Sequence, residues 1–173
     1  LDKNAVEVQQ ALLSVVERPV STISERDPEL RDFPRFASEV LGWAAEDLAG
    51  APGGPPLPES LEVALPEYGE TLRPSFAAID GMADGKVLLL VSVTEPGAEL
   101  DAPPAEAQRG WHASPQARLE RLLRDAKVPA GLLCNGRELR LVYAPSGETS
   151  GYLGFPVAEM CTVGGRLILG ALH

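Results

Sequence analysis

The sequence predicts an α/β fold in which a central mixed β-sheet is flanked by helices, and three observations carry that reading. Residues 87–93, VLLLVSV, form an almost unbroken apolar run with Ser92 its only polar member, the pattern of a strand covered on both faces. Residues 114–129, SPQARLERLLRDAKVP, make an amphipathic helix punctuated at both ends. Residues 130–145, AGLLCNGRELRLVYAP, read as a β-hairpin. A strand, a helix and a return strand in succession imply parallel strands joined by a right-handed crossover.

The elements follow in order. In LDKNAVEVQQALLSVVERPV, residues 1–20, Val8, Leu12, Val15 and Val16 recur at helical spacing and the pattern ends before Pro19. Residues 21–50 continue in the same manner, with Phe33, Phe36, Ala37, Val40 and Leu41 on one face. That helical segment ends at Gly42 or runs on towards Gly50, and Trp43 and Leu48 anchor its end in the core. Residues 1–50 are therefore a helical N-terminal part. The stretch GAPGGPPLP, 50–58, is too rich in Gly and Pro to continue a helix. It marks a linker or exposed loop over 51–59, after which 60–173 form the α/β core. Neither side is comfortably large enough to stand alone, so 1–173 reads as one domain.

Partial alternation of Leu61, Val63 and Leu65, then of Leu72, Phe76 and Ala78, predicts strands near 60–65 and 72–80. DGMADG, 80–85, is a turn cluster, 86–94 the central strand, and EPGAELDAPPAEAQRG, 95–110, an acidic, Pro-rich solvated loop. In the helix that follows, Ser114 is the N-cap and Pro115 the first helical residue, with Pro129 closing the far end. Leu119, Leu122, Leu123 and Ala126 form its apolar face. Arg118, Arg121 and Arg124 fall on the other side, with Glu120 placed to pair with Arg124. Asn135-Gly136 is expected as the two-residue hairpin turn. SGETSGYLGFPVAEM leads into a short final helix or strand, and GGRLILG, 164–170, reads as a strand.

Composition narrows the function classes. The chain has 25 acidic against 15 basic residues, a formal net charge of −10, which argues against broad non-specific binding to nucleic acid. No stretch has the roughly 18–20 apolar residues a bilayer span needs. Cys134 and Cys161 are too few for a disulfide framework and lack metal-site spacing, so both read as buried thiols of a reducing, cytoplasmic compartment. His112 and His173 are far apart and read as surface or loop residues. Phosphate-loop, nucleophile-elbow, His-Glu-x-x-His and dinucleotide fingerprints are all missing. The chain opens on Leu and stops at GGRLILGALH, which suggests an excised fragment or a processed chain.

The run WHASPQARLERLLRDAKVPAGLLCNGRELRLVYAPSGETSGYL, residues 111–153, resembles the N-terminal region of large adenine-specific DNA methyltransferases. These are the type IIG restriction–modification proteins and related phage-defence methylases. The stretch LRPSFAAID with KVLLLVSV falls where such proteins carry a PD-(D/E)XK nuclease core. The resemblance implies a restriction-endonuclease-like sheet preceded by N-terminal helices. In that fold two carboxylates on adjacent strands bind Mg²⁺, and a Lys helps to position the nucleophile. Carried over, the Asp position is Ser75 and the Glu-x-Lys positions are Ser92 and Thr94. A hydroxyl supplies no anion and Thr94 no cation, so no catalytic residue and no metal are expected.

Asp80 and Glu95, with Lys86 and Glu99, are the nearest candidates for displaced ligands, and Glu39 is a candidate for the helix carboxylate that some members add. Arg118, Arg121, Arg124, Arg137 and Arg140 are the only basic concentration and the candidate DNA contacts. The resemblance implies a catalytically silent N-terminal module of a bacterial DNA modification methyltransferase that assists DNA engagement or contacts with the remaining domains of its own chain. S-adenosylmethionine belongs to the parent protein and not to this part. Mg²⁺ enters only if nuclease activity survives. The rival readings are an active Mg-dependent endonuclease with displaced ligands and a stand-alone protein-interaction domain.

Overall fold

The structure is a computed structural model that describes residues 3–19, 27–105 and 110–173. Its centre is a six-stranded mixed sheet in the order β1 (Leu48–Ala49), β4 (Phe76–Asp80), β5 (Lys86–Val93), β6 (Ala130–Cys134), β7 (Glu138–Tyr143) and β8 (Gly151–Pro156). Neighbours are antiparallel except β5 and β6, which run parallel with Leu90 opposite Gly131 and Val93 opposite Cys134. Helix α3 (Pro115–Ala126) makes the crossover between them. A separate two-stranded sheet joins β2 (Val63–Leu65) to β3 (Glu70–Leu72). The predicted strand at 72–80 is thus two strands in two sheets. Pro74 stands between them, where a residue without an N–H suits a strand boundary.

Both faces of the main sheet are covered. On one lie α1 (Lys3–Val15), α2 (Phe33–Glu39), α4 (Val157–Met160) and α5 (Arg166–Leu172), whose Leu12, Phe33, Phe36, Met160 and Leu169 pack with Val91, Leu132, Leu139 and Phe155. On the other, Leu119, Leu122 and Leu123 of α3 pack with Leu90, Leu133, Val142 and the β2–β3 leucines. Cys134 sits under the N-terminal helices, fully buried, with the Gly136 N–H donating to its sulfur at 3.4 Å. Burial pushes that thiol up to about 11. Cys161 is only half-buried, so the expectation of two buried thiols holds for one.

The punctuation of α3 is as the sequence predicts. The Ser114 hydroxyl accepts from the Ala117 N–H at 3.1 Å, and Arg124 lies 3.7 Å from Glu120. The helix also packs over Gly131. A β-carbon there would lie 3.0 Å from the Leu90 carbonyl and 3.1 Å from Leu123, tighter than side chains ordinarily pack, so glycine eases the close approach of helix and sheet.

Four further expectations change. Helix α2 covers only 33–39 of the segment 21–50; Gly42, at φ 71°, lies just beyond it, and 21–26 fall outside the described residues, as do 106–109 of the acidic loop. Strand β5 is buried only at Leu90 and Val91, because β6 pairs with it from Leu90 onward; Leu88 is 49% exposed. The β6–β7 register puts Asn135 opposite Glu138 and so Gly136-Arg137 at the turn, where Gly136 has φ 80° and Asn135 takes no positive φ. Glycine at the first central position is the type II′ pattern. The Asn135 side chain instead accepts from the N–H groups of Arg137 and Glu138. Finally, GGRLILG is not a strand: Arg166 to Gly170 lie in α5 and Gly165 is its N-cap. That helix is held by α1, where buried Gln9 donates to the carbonyls of Met160 and Thr162 and accepts from Arg166 at 2.8 Å.

Candidate functional site

Because β4 and β5 are antiparallel, the start of β4 meets the end of β5. Ser75 therefore lies beside 92–94: its N–H donates to the Val91 carbonyl at 2.7 Å, and its hydroxyl accepts from the Val93 N–H at 2.9 Å. Period-two alternation puts Leu90, Ser92 and Thr94 on the α3 face. The crossover returns down that face, so the N-terminal turn of α3 arrives at the same end. The result is a cleft of about 480 Å³ lined by Ser75, Ser92, Thr94, Glu95 and Arg118 over walls of Leu72, Val93, Leu119, Leu122 and Leu133. The three positions inferred from the family motif converge on it.

The chemistry of the cleft is modest. The Ser75 hydroxyl is engaged with backbone, and Thr94 makes only long contacts to the carbonyls of Cys134 (3.4 Å) and Glu95 (3.5 Å). Glu95 is exposed. Asp80 and Lys86 pair across the turn at the opposite end of the two strands, and the Asp80 carboxylate accepts from the Met82 N–H at 2.9 Å. Those two candidate ligands therefore lie a strand-length apart. Glu39 lies on α2, beneath the other face of the sheet, and pairs with Arg35 at 2.7 Å. Among the described residues, no group of three or more His, Cys, Asp or Glu side chains gathers to hold a metal ion.

All five arginines of the basic concentration have carboxylate partners. Arg118 is clamped by Glu70 and also donates to the Trp111 carbonyl at 2.9 Å; that guanidinium holds the Glu70 carboxyl below its ordinary value. Arg121 pairs with Asp125 and Arg124 with Glu120. Arg137 reaches the buried carboxylate of Glu29 at 3.2 Å, itself lowered first by its bond to Arg31. Arg140, 6% exposed, grips both oxygens of Asp101 (2.7 and 2.8 Å), bonds Glu138 at 2.9 Å and lies 4.3 Å over the Tyr152 ring. Nor do the five form one surface. Arg137 belongs with the N-terminal segment, and Arg140 is under the loop before α3.

Sequence reasoning missed the clamp at the cleft mouth. Glu70 accepts from the Trp111 N–H at 2.8 Å as well as from Arg118, and Trp111 stacks on Tyr68 with ring centroids 5.8 Å apart. The only sequence signal is a tryptophan three residues before a capping serine; its partners are about forty residues away. Among the described residues, no helix is long and apolar enough to cross a membrane. Comparisons with protein-family models, with curated proteins and with solved structures found no match, so the family stays a resemblance carried by the residues quoted above.

Proposed function

We propose that the chain is a PD-(D/E)XK-like module that has lost its metal chemistry, the N-terminal part of a bacterial DNA modification methyltransferase, and that it works by contact rather than by cleavage. The observation that supports this most is the convergence of Ser75, Ser92 and Thr94 on one cleft, at the carboxyl end of the parallel strands where open α/β sheets place their sites. The metal site of the PD-(D/E)XK fold is built on two carboxylates from adjacent strands, because a hard divalent cation takes anionic oxygen ligands. Among the described residues the cleft supplies Glu95 alone, since Glu70 is committed to Arg118. The arginines expected to meet phosphate are neutralised internally, and the net charge is −10, so contact with the other domains of the parent protein is favoured over direct backbone contact with DNA.

Reinstalling the motif tests the reading. The triple variant Ser75→Asp, Ser92→Glu, Thr94→Lys should bind Mn²⁺ saturably by calorimetry, while the parent chain binds none and leaves plasmid DNA uncut in Mg²⁺ or Mn²⁺. A folded triple variant without metal affinity overturns the scaffold assignment. Metal-dependent cleavage by the parent chain, lost in Glu95→Gln or Asp80→Asn, establishes instead the active nuclease with displaced ligands.

A further inference from the structure

Strand β8 is the outer strand of the main sheet among the described residues, and its hydrogen-bonding direction can be read from its neighbours. The Val157 N–H donates to the Arg137 carbonyl at 2.8 Å, so 137 and 157 form a bonded pair. Alternation along an antiparallel ladder then makes 139–155, 141–153 and 143–151 bonded pairs as well. On β7 the other residues serve β6, as shown by the Asn135 N–H donating to Glu138 and the Ala144 N–H to Pro129. The N–H and C=O groups of Tyr152 and Gly154 therefore point away from the sheet. Pro156 is next in that row, with a carbonyl and no N–H.

This edge carries few of the usual guards against pairing. GYLGFP has no charged side chain, and Pro156 stands only at its end. Its apolar groups lie open, with Leu153 65% exposed, Tyr152 49% and neighbouring Tyr143 54%. The opposite edge, β1, has two residues, both buried, and runs into the Gly/Pro loop.

We propose that β8 pairs antiparallel with β8 of a second copy of this chain about a two-fold axis at Leu153, giving a continuous twelve-stranded sheet. The proposal goes beyond the nuclease-like reading and does not depend on it. Centred there, Tyr152 and Gly154 of each copy meet Gly154 and Tyr152 of the other as bonded pairs, and every outward N–H finds a carbonyl. Centring on Gly154 instead would set Tyr152 against Pro156 and leave a carbonyl within the strand without a donor, whereas the Leu153 register moves that mismatch to Ser150, outside β8. The side chains agree with the first register. On the α3 face each Tyr152 stands opposite Gly154 of the other copy, which adds no side chain of its own and is flanked by that copy's Glu138 carboxylate. On the other face Leu153 packs against its own symmetry mate, the self-contact an isologous interface requires. Each chain has a net charge of −10, but β8 contributes none of it, so added salt should strengthen the association.

Sedimentation and light scattering on the intact chain test this, together with hydrogen exchange at several protein concentrations. A dimer in the micromolar range is expected, weakened at least ~10-fold by Leu153→Lys, which sets two cations face to face. Circular dichroism should be unchanged in that variant. The Tyr152 and Gly154 amides should be protected in the dimer and exchange rapidly on dilution. Leu153→Cys in a Cys161→Ser background should form an intermolecular disulfide under mild oxidation, because directly opposed residues lie within disulfide reach. Val163→Cys in the same background, also highly exposed, should not. A chain that stays monomeric at all concentrations overturns the proposal. So does a dimer that survives Leu153→Lys, or one that forms with the β8 amides still exchanging freely.

Discussion

The two faces of the sheet are built from different materials. Under the N-terminal helices the contacts are apolar and aromatic: Phe33 lies 6.0 Å from Phe36, 5.9 Å from Phe76 and 6.3 Å from Trp43, centroid to centroid. Under α3 a leucine core is rimmed by ion pairs, Arg118 with Glu70 and Arg140 with Asp101 and Glu138. The first face is held mainly by shape, which pH does not alter, with one ion cluster at its rim where Arg31 and Arg137 meet the buried Glu29 carboxylate. The second is held partly by charge, and the cleft lies on that side. In this molecule the surface nearest the candidate site is therefore the one that owes more of its stability to charge.

Substitutions can separate the two. The largest loss is expected from Phe36→Ala, a fully buried ring whose removal should cost about 3–5 kcal/mol in denaturant unfolding, nearly equally at pH 7 and pH 4. Arg140→Met keeps the apolar stem but leaves Glu138 and Asp101 together with no cation between them. It should cost roughly 1–3 kcal/mol at pH 7 and less at pH 4, where the carboxylates protonate. An Arg140→Met loss as large at pH 4 as at pH 7 would erase the distinction between the faces. Ser114→Ala removes the α3 cap and should cost about 1 kcal/mol.

The smallest effect is the pH dependence of the parent chain. Glu70 is held below its ordinary carboxyl value by its hydrogen bond to Arg118, and Asp101 by its bond to Arg140. A carboxyl depressed in the folded state contributes stability that is fully present above its unfolded pKa and disappears as pH falls through the folded one. The urea midpoint should therefore decline below pH about 4.5, near the unfolded Glu value, and Glu70→Gln should flatten part of that decline. An unchanged slope in Glu70→Gln would mean that the clamp at the cleft mouth contributes nothing.

What the sequence discloses follows the range of the interactions. Helix α3 is legible because its cap, first-turn proline and apolar stripe all lie within sixteen residues. The hairpin is legible too, although its turn is one residue further along, because Asn135 and Gly136 divide the work between a side-chain acceptor and a positive φ. Helix α5 is not. A short apolar run between glycines fits strand and helix equally, and the choice is made by Gln9, 157 residues from Arg166. The cleft positions Ser75, Ser92 and Thr94 come from the motif they lack, whereas the Glu70–Arg118 clamp, 48 residues apart in sequence, leaves no local trace. The basic row on α3 is plain in the sequence, but most of its carboxylate partners are not.

The buried thiol beneath the sheet makes the chain its own clock. Thiolate, not thiol, reacts with alkylating agents, and Cys134 stays protonated well above neutral pH behind a closed layer of helices. At pH 8 it should be modified only during excursions that part β6 from the N-terminal helices, while half-buried Cys161 reacts sooner. Mass spectrometry of the two sites over time, at reagent concentrations where the rate no longer rises, would then give the opening rate of the aromatic face without denaturant.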